Sequence, residues 1–160
     1  MNAHTISVLV ENHPGALSRI VGLFSSRGYN ILSLTVAETE DTTVSRMTIV
    51  VAGDEDVLEQ VVKQLNRLID VIKVIDFRDE PIVNRELLLI RLDAGKTNRH
   101  EVFSLADVFG AKVASVSPSA ITLELSGESG TVDEFVALVR PYGIKELARS
   151  GAIAIARATK

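Results

Sequence analysis

Twice along this chain a short alternating strand runs into an amphipathic helix, two further strands, a second helix and a closing strand. The order βαββαβ constrains the fold more than any other feature, because each unit must bury two helix stripes against one face of a small sheet. In the first copy, Ile6, Val8 and Val10 alternate along residues 5–12. His13-Pro14-Gly15 interrupts the strand, and Leu17, Ile20, Val21 and Phe24 then fall at helical spacing between Ala16 and Arg27. Gly28 sits where a helix C-cap belongs. Strands follow from Asn30 to Glu40 and from Val44 to Ala52, with a turn between them. Gly53-Asp54-Glu55-Asp56 opens a helix with acids in its first turn, favourable to the helix dipole. Leu58, Val61, Val62, Leu65 and Leu68 form its apolar stripe, and Val71 to Phe77 closes the unit as a strand.

Arg78-Asp79-Glu80-Pro81 is a polar break, so the expected domains are 1–78 and 79–160. Beyond it the pattern returns: strand over Glu86–Asp93, helix over Arg99–Phe109, strands over Lys112–Ser117 and Ile121–Leu125. A helix with Val132, Phe135, Val136 and Val139 inward follows Gly127-Glu128-Ser129-Gly130. Ile144–Arg149 and Ala152–Arg157 supply one or two closing strands. The expected fold class is α+β, two ferredoxin-like sandwiches in tandem, each a four-stranded antiparallel sheet with two helices on one face. The other face and the edges need cover, so pairing between chains is expected.

Composition narrows the function. Hydrophobic residues make up 46% of the 160 residues but aromatics only 4%, so the core is aliphatic and suits sheet faced with helix. The absence of Cys excludes disulfides, cysteine zinc sites and thiol catalysis. The start Met1-Asn2-Ala3-His4 lacks the basic region of a signal peptide, and no apolar run approaches the roughly 20 residues of a membrane span. A soluble cytoplasmic protein is expected. A net charge of -4 argues against nucleic acid as a partner. Seven basic residues face twelve acidic ones in residues 1–80, against ten and nine in 81–160. The two halves therefore offer different surfaces.

One segment has the makings of a binding site. In Asn12-His13-Pro14-Gly15-Ala16-Leu17, between strand and helix, Pro14 suits the first helical turn, where a missing N–H costs nothing. Asn12 can turn its amide onto backbone or onto a ligand, and Gly15, without a Cβ, lets another group approach the unpaired N–H donors. Those donors and the helix dipole attract a carboxylate. A plain capped helix start fits the same spacing.

Asn12-x-Pro14-Gly15-x-Leu17 resembles the loop of amino-acid-binding ACT domains. Gly15–Phe24, Arg27–Ile31, Ser45–Ile49, Gln64–Val71, Arg85-Glu86-Leu87 and Ala148-Arg149-Ser150-Gly151 resemble the regulatory small subunits of acetolactate synthase, over nearly the whole chain. The resemblance implies a non-catalytic subunit that activates a catalytic partner and confers feedback inhibition by an effector, usually valine. It implies that residues 1–77 pair with a second copy and that the effector sits across the seam. The loop residues Asn12, His13, Pro14, Gly15 and Ala16 of one protomer would then face Asn30, Ile31 and Leu32 of its partner. Thiamine diphosphate, magnesium and FAD are implied on the catalytic partner, and no cofactor in this chain.

Other chemistries lack their residues. His4, His13 and His100 are too scattered for a metal triad, no P-loop or G-x-G-x-x-G occurs, and no nucleophile elbow surrounds a Ser. An acylphosphatase needs an Arg in the loop before its first helix, but Arg19 falls within the helix. An RNA-binding RRM needs stacking aromatics that Ile6–Val10 and Met47–Val51 do not carry. A free-standing ACT-type sensor remains the nearest alternative.

Overall fold

The structure, a computed structural model, describes residues 2–95 and 98–158. They form two compact units, one of residues 2–83 with 152–158 and the other of residues 84–151.

In the first unit, β1 (Ala3–Glu11), α1 (Ala16–Arg27), β2 (Asn30–Glu38), β3 (Val44–Ala52), α2 (Glu55–Leu65) and β4 (Val71–Asp76) follow the expected order. The sheet is antiparallel with strand order β2-β3-β1-β4. Period-2 alternation sends Ile6, Val8 and Val10 to one face of β1, where Ile6 pairs Ile49 and Val8 pairs Met47. Against that face α1 brings Ile20 and Phe24, and α2 brings Leu58, Val61 and Leu65, each no more than 1% exposed. The edge of Phe24 meets Tyr29 with ring centres 6.2 Å apart.

The second unit repeats the arrangement with β5 (Ile82–Asp93), α3 (Arg99–Phe109), β6 (Lys112–Val116), β7 (Ala120–Gly127), α4 (Ser129–Val139) and β8 (Ile144–Arg149). Four of the five strands of its sheet run in the order β6-β7-β5-β8. Leu88, Ile90 and Leu92 alternate inward against Ile121, Leu123 and Leu125, and Val102, Ala106, Val132, Phe135 and Val139 of the helices cover them. The tandem α+β expectation is borne out.

Local signals set most boundaries. Gly28 and Gly110 end α1 and α3 in the left-handed conformation, at φ 69° and 70°, which a residue without Cβ adopts freely. The Asp54 carboxylate caps α2 by accepting from the Val57 N–H at 3.0 Å. Asp54→Ala is therefore expected to cost about 1 kcal/mol in urea unfolding, with no change in fold by circular dichroism.

Three features depart from the sequence reading. Pro14 lies in the turn ahead of α1 rather than in its first turn, because Gly15 is the N-cap. Leu68 falls beyond the end of α2 and reaches the core from the following turn. The last strand, β9 (Ile153–Ala156), pairs with β5, yet it falls within the first compact unit. It lies against β1 and β3, and the Arg157 N–H donates to the Pro81 carbonyl at 2.8 Å. Ser7 and Thr48, on the sheet face away from the helices, are 0% and 2% exposed, so part of the face expected to await another chain is already covered.

Candidate functional site

The loop between β1 and α1 stands at one end of the first sheet, beside the end of β2. Glu38 pairs Ser45, which pairs Val10, so these residues share a level with the loop. Gly15 has φ 91° and ψ -14°, a conformation that side-chain-bearing residues rarely adopt, and open space lies where its Cβ would be. The Ala16 N–H reaches the His13 carbonyl at 3.3 Å, and the first helical bond runs from the Arg19 N–H to the Gly15 carbonyl at 3.0 Å. Among the described residues no acceptor meets the N–H groups of Gly15, Leu17 or Ser18. Beside them opens a groove of about 280 Å³ lined by Val10, Asn12, His13, Ala16, Leu17, Val36, Glu38 and Met47, among others. Donors at a helix start next to an apolar wall suit a small carboxylate with an aliphatic side chain.

Asn12 is spoken for differently from the expectation. Its Nδ2 donates to Glu38 Oε1 at 3.0 Å and to the Thr42 carbonyl at 2.9 Å. Both amide hydrogens are thus engaged within the chain, which leaves Oδ1, an acceptor, as the side-chain atom able to meet a ligand. Asn12 therefore suits an ammonium better than the carboxylate.

Asn30, Ile31 and Leu32 do not join this loop within one chain. Asn30 pairs Ala52, which pairs Ala3, at the opposite end of the sheet. Eight residues of strand separate it from Glu38, roughly 25 Å at strand rise. Leu32 lies within a β-bulge and is 52% exposed.

Sequence reading missed the group beneath the loop. Asp70, between α2 and β4, has a side chain only 4% exposed. Its Oδ1 accepts from His13 Nε2 at 2.7 Å, its Oδ2 accepts from Arg19 Nη1 at 2.5 Å, and its backbone carbonyl accepts from the Glu11 N–H at 2.9 Å. His13 Nδ1 donates to the Pro14 carbonyl at 3.0 Å, so both ring nitrogens face acceptors and the imidazolium satisfies both. That carbonyl bond foremost, with Asp70 and Glu11 adding to it, raises the His13 pKa. The Arg19 hydrogen bond, with its charge and that of His13, lowers the Asp70 pKa. Glu11, His13 and Asp70 gather three potential metal-ligating atoms, but the Asp70 carboxylate already holds a guanidinium and an imidazolium.

The signs of the two shifts define a pH window. A raised His13 pKa contributes stability in full below about 6.5, and this is lost as pH rises through the folded value. A lowered Asp70 pKa contributes stability above about 4, lost as pH falls through the folded value. His13→Gln is therefore expected to be less stable than wild type between pH 5 and 6, and the difference should vanish in alkaline solution. Urea unfolding across pH checks this. A difference that grew with pH would contradict the ion pair.

A larger hollow of about 420 Å³, by Ala3, His4, Glu55, Phe77, Arg78 and Asp79, lies at the other end of β1. Its cation is taken: Arg78 Nη2 lies 2.7 Å from Asp76 Oδ2.

Enzymes share this strand order, so the class, that of the ACT-type domains, rests on the match to a family model. A family model described as "AHAS small subunit-like ACT domain" matches residues 6–73, and one described as "Small subunit of acetolactate synthase" matches residues 85–158. The chain belongs to the acetolactate synthase small-subunit family, whose members are regulatory rather than catalytic chains. It is 52% identical over 157 residues to the "Probable acetolactate synthase small subunit" of Archaeoglobus fulgidus, covering 98% of each chain. It is 48% identical over 156 residues to the acetolactate synthase isozyme 3 small subunit of Escherichia coli, covering 97% of this chain and 96% of that one. The crystal structure of the small subunit from Thermotoga maritima superposes with a TM-score of 0.91 at 34% identity, covering all of both chains.

Proposed function

We propose that this chain activates the catalytic chain of acetolactate synthase and makes it sensitive to a branched-chain amino acid, valine foremost. The catalytic chain would carry thiamine diphosphate, magnesium and FAD and condense two pyruvates, or pyruvate with 2-oxobutyrate, in the cytoplasm. Among the described residues no helix is long and apolar enough to cross a membrane.

The observation that carries this reading is the division of the recognition elements between the two ends of one edge strand. β2 offers nine residues without Pro, Lys or Arg, the sort of unprotected edge that pairs with another strand. The opposite edge, β4, carries Lys73 and Asp76. Beside β2, Leu17 and Val21 of α1 and Leu32 and Val36 of β2 are 36–52% exposed. Antiparallel pairing of β2 with its copy in a second protomer buries these residues. About a two-fold axis it also sets the Gly15 loop of one protomer near Asn30, Ile31 and Leu32 of its partner. There the free N–H groups bind the carboxylate, Asn12 Oδ1 or a backbone carbonyl near Asn30 takes the ammonium, and Leu17 and Val36 take the side chain.

The second unit is assigned the contact with the catalytic chain, on the strength of its different charge balance. Its open sheet face presents Leu87 and Leu89, 40% and 42% exposed, beside the Arg91–Glu146 ion pair. A generic free-standing sensor has no use for a segment matching a small-subunit model over residues 85–158.

The test is a valine titration of the isolated protein by calorimetry with sedimentation in parallel, repeated with the catalytic chain present. Dimers that bind valine, and a synthase whose activity falls as valine is added, are the expected result. Monomers giving no heat would overturn the proposal.

A further inference from the structure

We infer that Asp70 is a positioning residue of the effector loop: its buried carboxylate ties His13 and Arg19 together so that the amides at the front of α1 stay free for a ligand. This rests on the amino-acid-sensing reading of that loop and extends it to a residue that lines no part of the groove.

Asp70 touches three elements at once. Through its backbone carbonyl it holds the end of β1 at Glu11, through Oδ1 the loop at His13, and through Oδ2 the first turn of α1 at Arg19. The link to His13 matters most for the amides. The Pro14 carbonyl stands four residues before Ser18, so in a continuous helix it would accept from the Ser18 N–H. Here the helix starts at Gly15, whose φ of 91° takes Pro14 out of it; the Pro14 carbonyl accepts from His13 Nδ1, and Ser18 lacks an acceptor among the described residues. Asp70 orients the ring that occupies the Pro14 carbonyl and so holds the loop in this conformation. A side chain that merely neutralised Arg19 would not need to face His13 as well.

Other charged groups around His13 do not duplicate the role. Glu11 of β1 approaches Nε2 only to 3.5 Å and is 58% exposed, Arg19 of α1 acts across Asp70, and Glu38 of β2 is engaged by Asn12. A receptor held in its binding conformation beforehand loses less freedom on binding, so the link appears as affinity.

The experiment is calorimetry of L-valine with the full chain between pH 5.5 and 8.5, for wild type, Asp70→Asn and His13→Gln. His13 is followed in each ligand-free protein by NMR. In wild type, affinity is expected to fall as pH rises through the His13 titration, because the neutral ring cannot donate to both Pro14 and Asp70. In Asp70→Asn the dissociation constant is expected to rise about tenfold at pH 7, and the fall to move to lower pH. His13→Gln, which leaves the Asp70–Arg19 pair in place, is expected to lose that fall. A role in folding alone would lower stability without moving the pH profile of binding. An Asp70→Asn protein with wild-type affinity and an unshifted profile would overturn the inference. Should that variant not fold, His13→Gln retaining the fall would do the same. If wild type binds none of valine, leucine and isoleucine while NMR still shows His13 paired with Asp70, the sensing reading itself has failed, and this inference with it.

Discussion

Gly15→Asp is expected to abolish valine binding, with the dissociation constant raised at least about 100-fold and feedback on the synthase lost. Two effects act in the same direction. At φ 91° any side chain strains the backbone, at a cost of about 1–2 kcal/mol, and relief of that strain would turn the Gly15 N–H away from the groove. The new carboxylate would also enter the open space where the Gly15 Cβ would be, next to the N–H groups that the ligand's carboxylate needs. Like charges competing for one set of donors in a partly enclosed groove cost several kcal/mol. Gly15→Ala separates the two effects, since it carries the strain without the charge and should retain measurable binding. Calorimetry on both variants decides the matter. If Gly15→Asp bound valine as tightly as wild type, the loop could not be the receptor.

Elements fixed by neighbours in sequence were legible, and those fixed by distant partners were not. α1, β3, α3 and β8 have the bounds that periodicity and flanking turn residues predict. Their signals are local: apolar spacing within the helices, and Gly28 and Gly110 able to take positive φ at the helix ends. The unusual role of Gly15 could be anticipated because a glycine before a helix is itself a signal. Asp70 carried none, being one acidic residue in the turn between α2 and β4, 51 positions from Arg19. Only the packing of α1 beside the β1–β4 end of the sheet brings the two together. The same holds for β9, whose sequence Ile153–Ala156 reads as a strand but does not say which unit it joins. A chain ending at Glu80 would strip β9 from β1 and β3, so a loss of activation in it would not isolate the second unit. Substitutions on the open face, such as Leu89→Asp, test that assignment more cleanly.

Arg149→Ala is expected to destabilise the second unit by about 3–5 kcal/mol. Glu86 is buried there, its side chain 4% exposed, at the point where β5 enters the core. One of its oxygens accepts from Arg149 Nη2 and the other from Ser129 Oγ at 3.2 Å, while Arg149 Nη1 also donates to Asp133 at 2.6 Å. Next along the chain, the Ser150 N–H donates to the Leu87 carbonyl at 3.0 Å, and the Leu87 N–H donates to Ser150 Oγ at 2.9 Å. The strings Arg85-Glu86-Leu87 and Ala148-Arg149-Ser150-Gly151, separate in sequence, thus form one clasp that locks β8 to β5. Removing Arg149 leaves a carboxylate without its counter-charge, and desolvation that the ion pair had offset becomes a net cost. If that is the origin of the loss, removing the carboxylate as well should recover most of it. The pair Glu86→Leu with Arg149→Met should unfold in urea close to wild type, because an apolar pair of similar volume avoids the desolvation. A double variant no more stable than Arg149→Ala would place the loss in the packing of the arginine stem or in the Asp133 contact, and the buried charge would not be what makes the clasp necessary.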